Sequence, residues 1–453
     1  MNEFKQKRIE HILCGGVSED LLNTTGAIEF NYGKGIYLYD EDGNKYIDAM
    51  SGAWVVNVGH GNKEIIDEQY KQSNKLAYLL QEGYFNESVI LLSEKLSELT
   101  RNGLRKVFFT CGGSEAVESA LKIVRQYCLQ KLGYQKHKIL ARKYSYHGAT
   151  MGAMSVTGFD NWRELFNPSL PGVKFVPHPY CYHCEFGMKY PHCALKCIEE
   201  TERVIVRENP ASIGAFIAEP ISMSVGTAIP PKEYWKEIRR LCDKYGILLI
   251  ADEIITAFGR TGKWFALENW GIEPDLMVIG KGLTSGYSPL AGVMCSDKIA
   301  EVMGKSGFVH GFTYSGHPVA CAVALKNISI IEKENLLKNA LDNGRYLEKK
   351  LNQELASLSI VDEVRVYGLL ATIELVEDKK TKKRLVGGER VANIVKRYLM
   401  DQKIICRVTT QVLLGPPLVI TIDQINILVE SIKTALKKFS DYYFANKEEL
   451  FYE

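Results

Sequence analysis

The chain has 453 residues, of which 46% are hydrophobic and 24% charged, with a formal net charge of +2. That length exceeds what one hydrophobic core usually serves, so two domains are expected, and the balanced charge argues against a nucleic-acid partner. No apolar stretch approaches a membrane span and residues 1–16 lack the apolar run of a signal peptide, so a cytoplasmic protein without membrane contact is expected. Most of the eleven cysteines stand singly among apolar neighbours, as Cys242, Cys295 and Cys321 do, which fits reduced core thiols rather than a disulfide framework.

Seven short apolar runs recur through the middle of the chain, at 106–110, 138–141, 174–176, 213–219, 247–252, 276–280 and 291–295. Several are apolar throughout, as strands buried on both faces should be. Helix-like stretches lie between them, the clearest at 114–132, with Ser114 as its N-cap, and at 232–245, entered through Pro230 and Pro231. This alternation predicts an α/β fold whose large domain holds a seven-stranded, mostly parallel sheet flanked by helices. Beyond residue 330 the pattern changes to a charged amphipathic helix at 335–355, strand-like runs such as 364–375, and a closing helix at 423–439. The expected division is a smaller α/β domain built from residues 1–64 and 331–453, and a large domain from 65–330.

In open parallel sheets ligands gather beyond the carboxyl ends of the strands. Three such ends carry chemistry here. Residues 111–114 (Cys-Gly-Gly-Ser) turn from strand into helix, so the N–H groups of Gly113, Ser114 and Glu115 with the Ser114 hydroxyl form a candidate anion cradle; alone, this also fits a tight turn with a capping serine. Asp252 ends an apolar strand, where a carboxylate is costly unless it meets a cation or strong donor; a lone acid there also fits a helix cap or structural ion pair. Lys281 lies between two glycines after an apolar run, a position suited to an amine made neutral by desolvation and therefore nucleophilic toward aldehydes; Gly-Lys-Gly also occurs in ordinary loops.

Together, a phosphate cradle, a buried acid and a desolvated lysine at neighbouring strand ends are what pyridoxal phosphate requires. The lysine forms the Schiff base, the acid keeps the pyridine nitrogen protonated, and the cradle anchors the phosphate. Tyr146 would cover one face of the ring and Ile254 would form an apolar floor.

The segment Leu249-Ile250-Ala251-Asp252-Glu253-Ile254-Ile255-Thr256-Ala257-Phe258-Gly259-Arg260-Thr261-Gly262, followed by Gly280-Lys281-Gly282, resembles the class-III pyridoxal-phosphate aminotransferases, the ω-aminotransferase group of the aspartate-aminotransferase fold. Supporting motifs are Ser51-Gly52-Ala53-Trp54, Tyr146-His147-Gly148, Ala218-Glu219-Pro220, Gly311-Phe312-Thr313-Tyr314 and Pro416-Pro417-Leu418, and the likeness covers residues 25 to 440. The resemblance implies that Lys281 and Asp252 are the catalytic pair and that Gly113, Ser114, Tyr146, His147, Glu219 and Ile254 surround the cofactor. It also implies that Thr313 reaches the phosphate from a neighbouring subunit, hence a homodimer with shared active sites.

The implied reaction is a transamination. A donor amine displaces Lys281 from the cofactor, the freed lysine moves a proton from the donor carbon to the cofactor, and a 2-oxo acid runs the sequence backwards, so ping-pong kinetics are expected. Trp54 resembles the aromatic wall of the donor pocket in β-alanine, taurine and amine:pyruvate members, and fits core packing equally well. Arg407 resembles their substrate-carboxylate arginine, although the stretch from Arg407 to Pro416 is one residue shorter than in that pattern. The expected donor is an ω-amino acid or amine of the β-alanine, taurine or 4-aminobutyrate type, and the acceptor pyruvate or 2-oxoglutarate. The alternative is an amino-acid racemase or aminomutase using the same lysine, aspartate and cradle; a cofactor-sensing regulator would need a DNA-binding module, for which neither terminus has room.

One cluster stands outside this scheme. Cys181, Cys184, Cys193 and Cys197, with His183 and His192 between them, are spaced compatibly with a structural zinc site, although the pyridoxal chemistry needs no metal.

Overall fold

The computed structural model describes residues 11–16, 28–101 and 103–451. Most of the N-terminal stretch read for targeting signals lies outside the described residues.

All seven expected strands form, in one sheet. In chain order they are β4 (Leu104–Thr110), β5 (Lys138–Arg142), β6 (Val173–Val176), β7 (Ile213–Ala218), β8 (Leu248–Asp252), β9 (Leu276–Ile279) and β10 (Ala291–Ser296), preceded by β1 (Phe30–Lys34), β2 (Tyr37–Asp40) and β3 (Lys45–Asp48). The sheet order is β4-β10-β9-β8-β7-β5-β6, with only β10 antiparallel to its neighbours. Every residue of β7, β8 and β9 is buried. The reason is visible in their alternation: Phe216, Ala218, Leu249 and Ala251 join the core on one face, while Ala215, Ile217, Leu248 and Ile250 join a second core under the helix Gly113–Leu132.

That helix starts one residue earlier than the sequence indicated. Gly112 is its N-cap and no side chain caps it, so the reading of Ser114 as N-cap is corrected: its hydroxyl turns away to accept from the Ala149 N–H at 2.9 Å. The run at 364–375 is also not one strand. Gly368, in the left-handed region at φ +57°, turns it into a hairpin of β11 (Val361–Tyr367) and β12 (Leu370–Asp378).

Two smaller sheets complete the fold. The first, β1-β2-β3, takes a fourth strand from the far end of the chain, β14 (Ile404–Ile405), which runs parallel to β3. The second has the order β11-β12-β16-β15, where β15 is Arg407–Val408 and β16 is Gln411–Leu414, and β13 (Lys383–Arg384) pairs with β12. The closing helix Ile422–Phe451 is longer than expected. Among the described residues, no helix is long and apolar enough to cross a membrane.

Candidate active site

The carboxyl ends of β4, β5, β7, β8 and β9 open onto one cavity of about 170 Å³. Its lining includes Gly113, Ser114, Tyr146, His147, Glu219, Asp252, Ile254 and Lys281, so eight of the residues singled out in the sequence converge.

At the end of β8, both oxygens of Asp252 are held. Oδ2 lies 2.6 Å from His147 Nδ1, and Oδ1 accepts from the Ile254 N–H at 3.1 Å. Lys281 follows β9 with φ +43°, a strained value for a side chain with a Cβ. Burial of its ammonium pushes its pKa down to about 8; Asp252 opposes that shift, while Arg407 and Arg260 reinforce it. The amine is thus partly neutral near physiological pH, as a nucleophile toward a carbonyl must be.

Glu219 sits beside this pair in a buried ion pair with Arg142, whose Nη2 is 2.8 Å from Oε2. Burial, the largest single influence, would raise the Glu219 carboxyl, but Arg142 together with His147 and His178 outweighs it and holds the pKa at about 2. The ionised carboxylate then accepts from the Tyr146 N–H at 3.2 Å and the Ser222 hydroxyl at 3.2 Å, fixing the cavity wall on both sides.

The cavity is shaped for a flat, anionic guest. Gly113 and Gly280 both pack against Ile254, and a Cβ on them would come within 3.2 and 3.1 Å of its Cδ1 respectively. Gly148, at φ +137°, packs so tightly that a Cβ would stand 2.5 Å from Ser114 Oγ. The first-turn amides at Gly113, Ser114 and Glu115 have no intrahelical partner, and Gly113 and Ser114 line a cavity that otherwise offers a buried carboxylate and a lysine. A ring with a phosphate at one end, a basic nitrogen at the other and an aldehyde near Lys281 fits this donor set, so pyridoxal phosphate fits the residues present.

The remaining sequence candidates are placed as follows. Trp54 is buried against Met223, Leu370 and Leu413, and its ring centroid lies 5.4 Å from Lys281 Nζ, so it packs in the core and also stands over the lysine. Arg407 is exposed on β15, and its charge acts on Tyr146 and Lys281. Thr313 is exposed and outside the cavity of its own chain, where its carbonyl accepts from the Tyr78 hydroxyl at 2.9 Å. The four clustered cysteines are free thiols, Cys181 being exposed and the other three half-buried. Among the described residues no group of three or more His, Cys, Asp or Glu is placed to hold a metal ion, so the zinc site that the spacing allowed is not assembled.

Sequence reasoning missed Arg142, Met223, Ser224 and Thr256. Arg142 carried a usable signal: an arginine ending an apolar strand incurs the same desolvation cost that drew attention to Asp252.

The family model of class-III aminotransferases matches residues 23–436. The chain is 39% identical over 412 residues to the putrescine–pyruvate aminotransferase of Pseudomonas aeruginosa, covering 90% of each chain. Its fold superposes with a TM-score of 0.93 on the (S)-enantioselective omega-transaminase of Thermomicrobium roseum, at 38% identity and covering 96% of this chain and 98% of that one. It is also similar to an amine transaminase from an uncultivated Pseudomonas species in its PLP-bound form, with a TM-score of 0.90, 31% identity and coverage of 94% and 98%. The protein therefore belongs to the class-III aminotransferases, and it is a pyridoxal-phosphate-dependent transaminase that moves an amino group from an amine to an oxo acid.

Proposed function

We propose that the donor is an ω-amino acid or amine, of the β-alanine, taurine, 4-aminobutyrate or diamine type, and that the acceptor is pyruvate or 2-oxoglutarate, in a ping-pong cycle. The observation that carries this reading is the cavity itself: a lysine shifted to about 8 and a doubly held aspartate face each other beneath an aromatic wall at Trp54. Such an apolar wall suits a donor whose reacting amine is terminal and bears no neighbouring carboxylate. The similarity to a putrescine–pyruvate enzyme supports the same choice.

Pyridoxal phosphate, when bound, supplies an electron sink for the donor's C–H bond electrons. The chain supplies the rest. Asp252, oriented by His147, would hold the proton on the ring nitrogen, and Lys281 would hold the aldehyde end and, as a neutral amine, serve as the base for the proton on the donor carbon. Gly113 and Ser114 would hold the phosphate and Tyr146 and Ile254 would confine the ring, while Glu219 fixes the wall beside it. Arg407, exposed, without a side-chain partner among the described residues and close enough for its charge to act on Tyr146 and Lys281, would meet the carboxylate of the oxo acid.

The reading extends to a cytoplasmic homodimer in which Thr313 of the partner subunit completes the phosphate site. It is supported by eleven free thiols and by the exposure of Thr313. We also place the domain boundaries at 64/65 and 330/331, which the pairing of β3 with β14 supports. Steady-state assays with putrescine, β-alanine, taurine and 4-aminobutyrate against both oxo acids test the substrate class. Turnover of at least one of these donors, with parallel double-reciprocal plots, is expected; turnover of only α-amino donors such as alanine would overturn it.

A further inference from the structure

Glu374 is the centre of a buried hub that none of the steps above uses. Its Oε1 accepts from Gln411 Nε2 at 2.6 Å, from the Tyr180 hydroxyl at 2.9 Å and from Arg365 Nη2. Glu374 and Gln411 are both buried.

Two arms leave this hub. Along the first, Gln411 Nε2 donates to the Val225 carbonyl at 3.3 Å, while Arg365 Nε and Nη2 donate to the Gly226 carbonyl at 2.8 and 2.6 Å. Those carbonyls belong to the turn whose other side, Met223 and Ser224, lines the cavity. The turn has no slack, because Gly226 sits at φ +78° and a Cβ on it would lie 2.5 Å from Gln411 Oε1. Along the second arm, Gln411 opens β16, which pairs antiparallel with β15, and β15 begins with Arg407. The Thr409 N–H donates to the Gln411 carbonyl at 2.9 Å, closing that hairpin. Among the described residues the Arg407 guanidinium has no ion pair or hydrogen bond, while its backbone is paired opposite Leu413, so this hairpin sets the point from which the side chain is presented.

A fully satisfied buried polar network contributes little net stability compared with apolar packing, but it specifies one arrangement of the elements it joins. Here those elements are the cavity wall and the strand bearing the unpaired arginine. We propose that Glu374 and Gln411 are positioning residues, which fix the span between the Met223–Ser224 wall and Arg407 and thereby set the site that receives the carboxylate of the 2-oxo acid. This rests on the reading of Arg407 as the carboxylate's partner.

The test uses the holoenzyme and glutarate, a dicarboxylate with no oxo group to react, with its dissociation constant measured by calorimetry. Gln411→Leu is expected to weaken glutarate about 10-fold, the size of one lost hydrogen bond to a charged or positioning group. It should raise KM for the oxo acid similarly, while kcat and the putrescine half-reaction change less than about 2-fold. Tyr180→Phe, which removes one donor to Glu374 at nearly constant volume, should move the same quantities in the same direction by about 3-fold, and it decides the matter if the leucine variant does not fold. If either folded variant loses only thermal stability, or loses both half-reactions equally with glutarate binding unchanged, the proposal is overturned. Arg407→Ala separates the two ideas: undiminished glutarate binding there sinks the reading of Arg407, whereas weakened binding there together with unchanged binding in Gln411→Leu and Tyr180→Phe sinks the hub alone.

Discussion

His147 Nδ1 and Asp252 Oδ2 lie 2.6 Å apart in a pocket where the imidazole is fully buried and the carboxylate 5% exposed. The backbone N–H of Ile254 holds the other oxygen, so the carboxylate can neither rotate nor drift. On the proposed assignment, removing the anion would leave the ring nitrogen of the cofactor without its partner. Asp252→Asn should still bind cofactor but slow the amine half-reaction about 100- to 1,000-fold, the effect of losing about 3–4 kcal/mol from a buried charged pair. His147→Ala, which removes only an orienting hydrogen bond, should cost about 10- to 100-fold. Single-turnover absorbance measures both, and equal losses in the two variants would contradict the assigned division of roles.

Lys281 is shifted down to about 8, chiefly by burial. The neutral amine is the form that attacks an aldehyde, so the rate at which cofactor-free protein captures pyridoxal phosphate should climb with pH through about 8 and then level off. A lysine at its ordinary value would go on accelerating beyond pH 10. Lys281→Ala should leave no covalent cofactor after borohydride reduction, read by intact mass.

Glu219 has a folded pKa of about 2 against an ordinary 4.5, because Arg142, with His147 and His178, outweighs the effect of burial. The ionised form is therefore favoured by folding. Its stabilisation is complete above pH 4.5 and is lost as pH falls toward 2, and its size is about 3 kcal/mol. Glu219→Gln should flatten the acid limb of the stability profile. Arg142→Met, which leaves the buried carboxylate unpaired, should destabilise the fold by about 3–5 kcal/mol, and urea melts across pH check both.

The exposure of Thr313 outside its own cavity leads to a complementation experiment. Lys281→Ala and Thr313→Asp variants should each be nearly inactive. Unfolded together and refolded, they should recover about a quarter of wild-type activity, since half of randomly formed dimers are mixed and each mixed dimer holds one intact site. No recovery from mixed dimers verified by mass would contradict the shared site.

The legibility of these features followed the range of the interactions behind them. The seven strands were readable because burial on both faces leaves a local trace, an unbroken apolar run such as that in β8. Lys281 and Asp252 were readable because a charge at the end of such a run is conspicuous in the chain itself. The pairing of Arg142 with Glu219, 77 residues apart, and of His147 with Asp252, 105 apart, leaves no periodicity in the sequence, so neither partnership was anticipated. Ser114 failed as a cap for a related reason: its hydroxyl was claimed by Ala149, which the fold brings alongside from a later loop. Likewise the break at Gly368 was hidden inside an apolar pattern that fits one strand as well as two.

The most direct test of the central claim is the visible absorption spectrum of the purified protein supplied with pyridoxal phosphate, before and after putrescine, β-alanine, taurine or 4-aminobutyrate is added without any oxo acid. The account predicts a yellow band that depends on Lys281 and that at least one of these donors bleaches, with the amino group retained on the cofactor. A protein that acquires no such band, or whose band none of these donors alters, would contradict it.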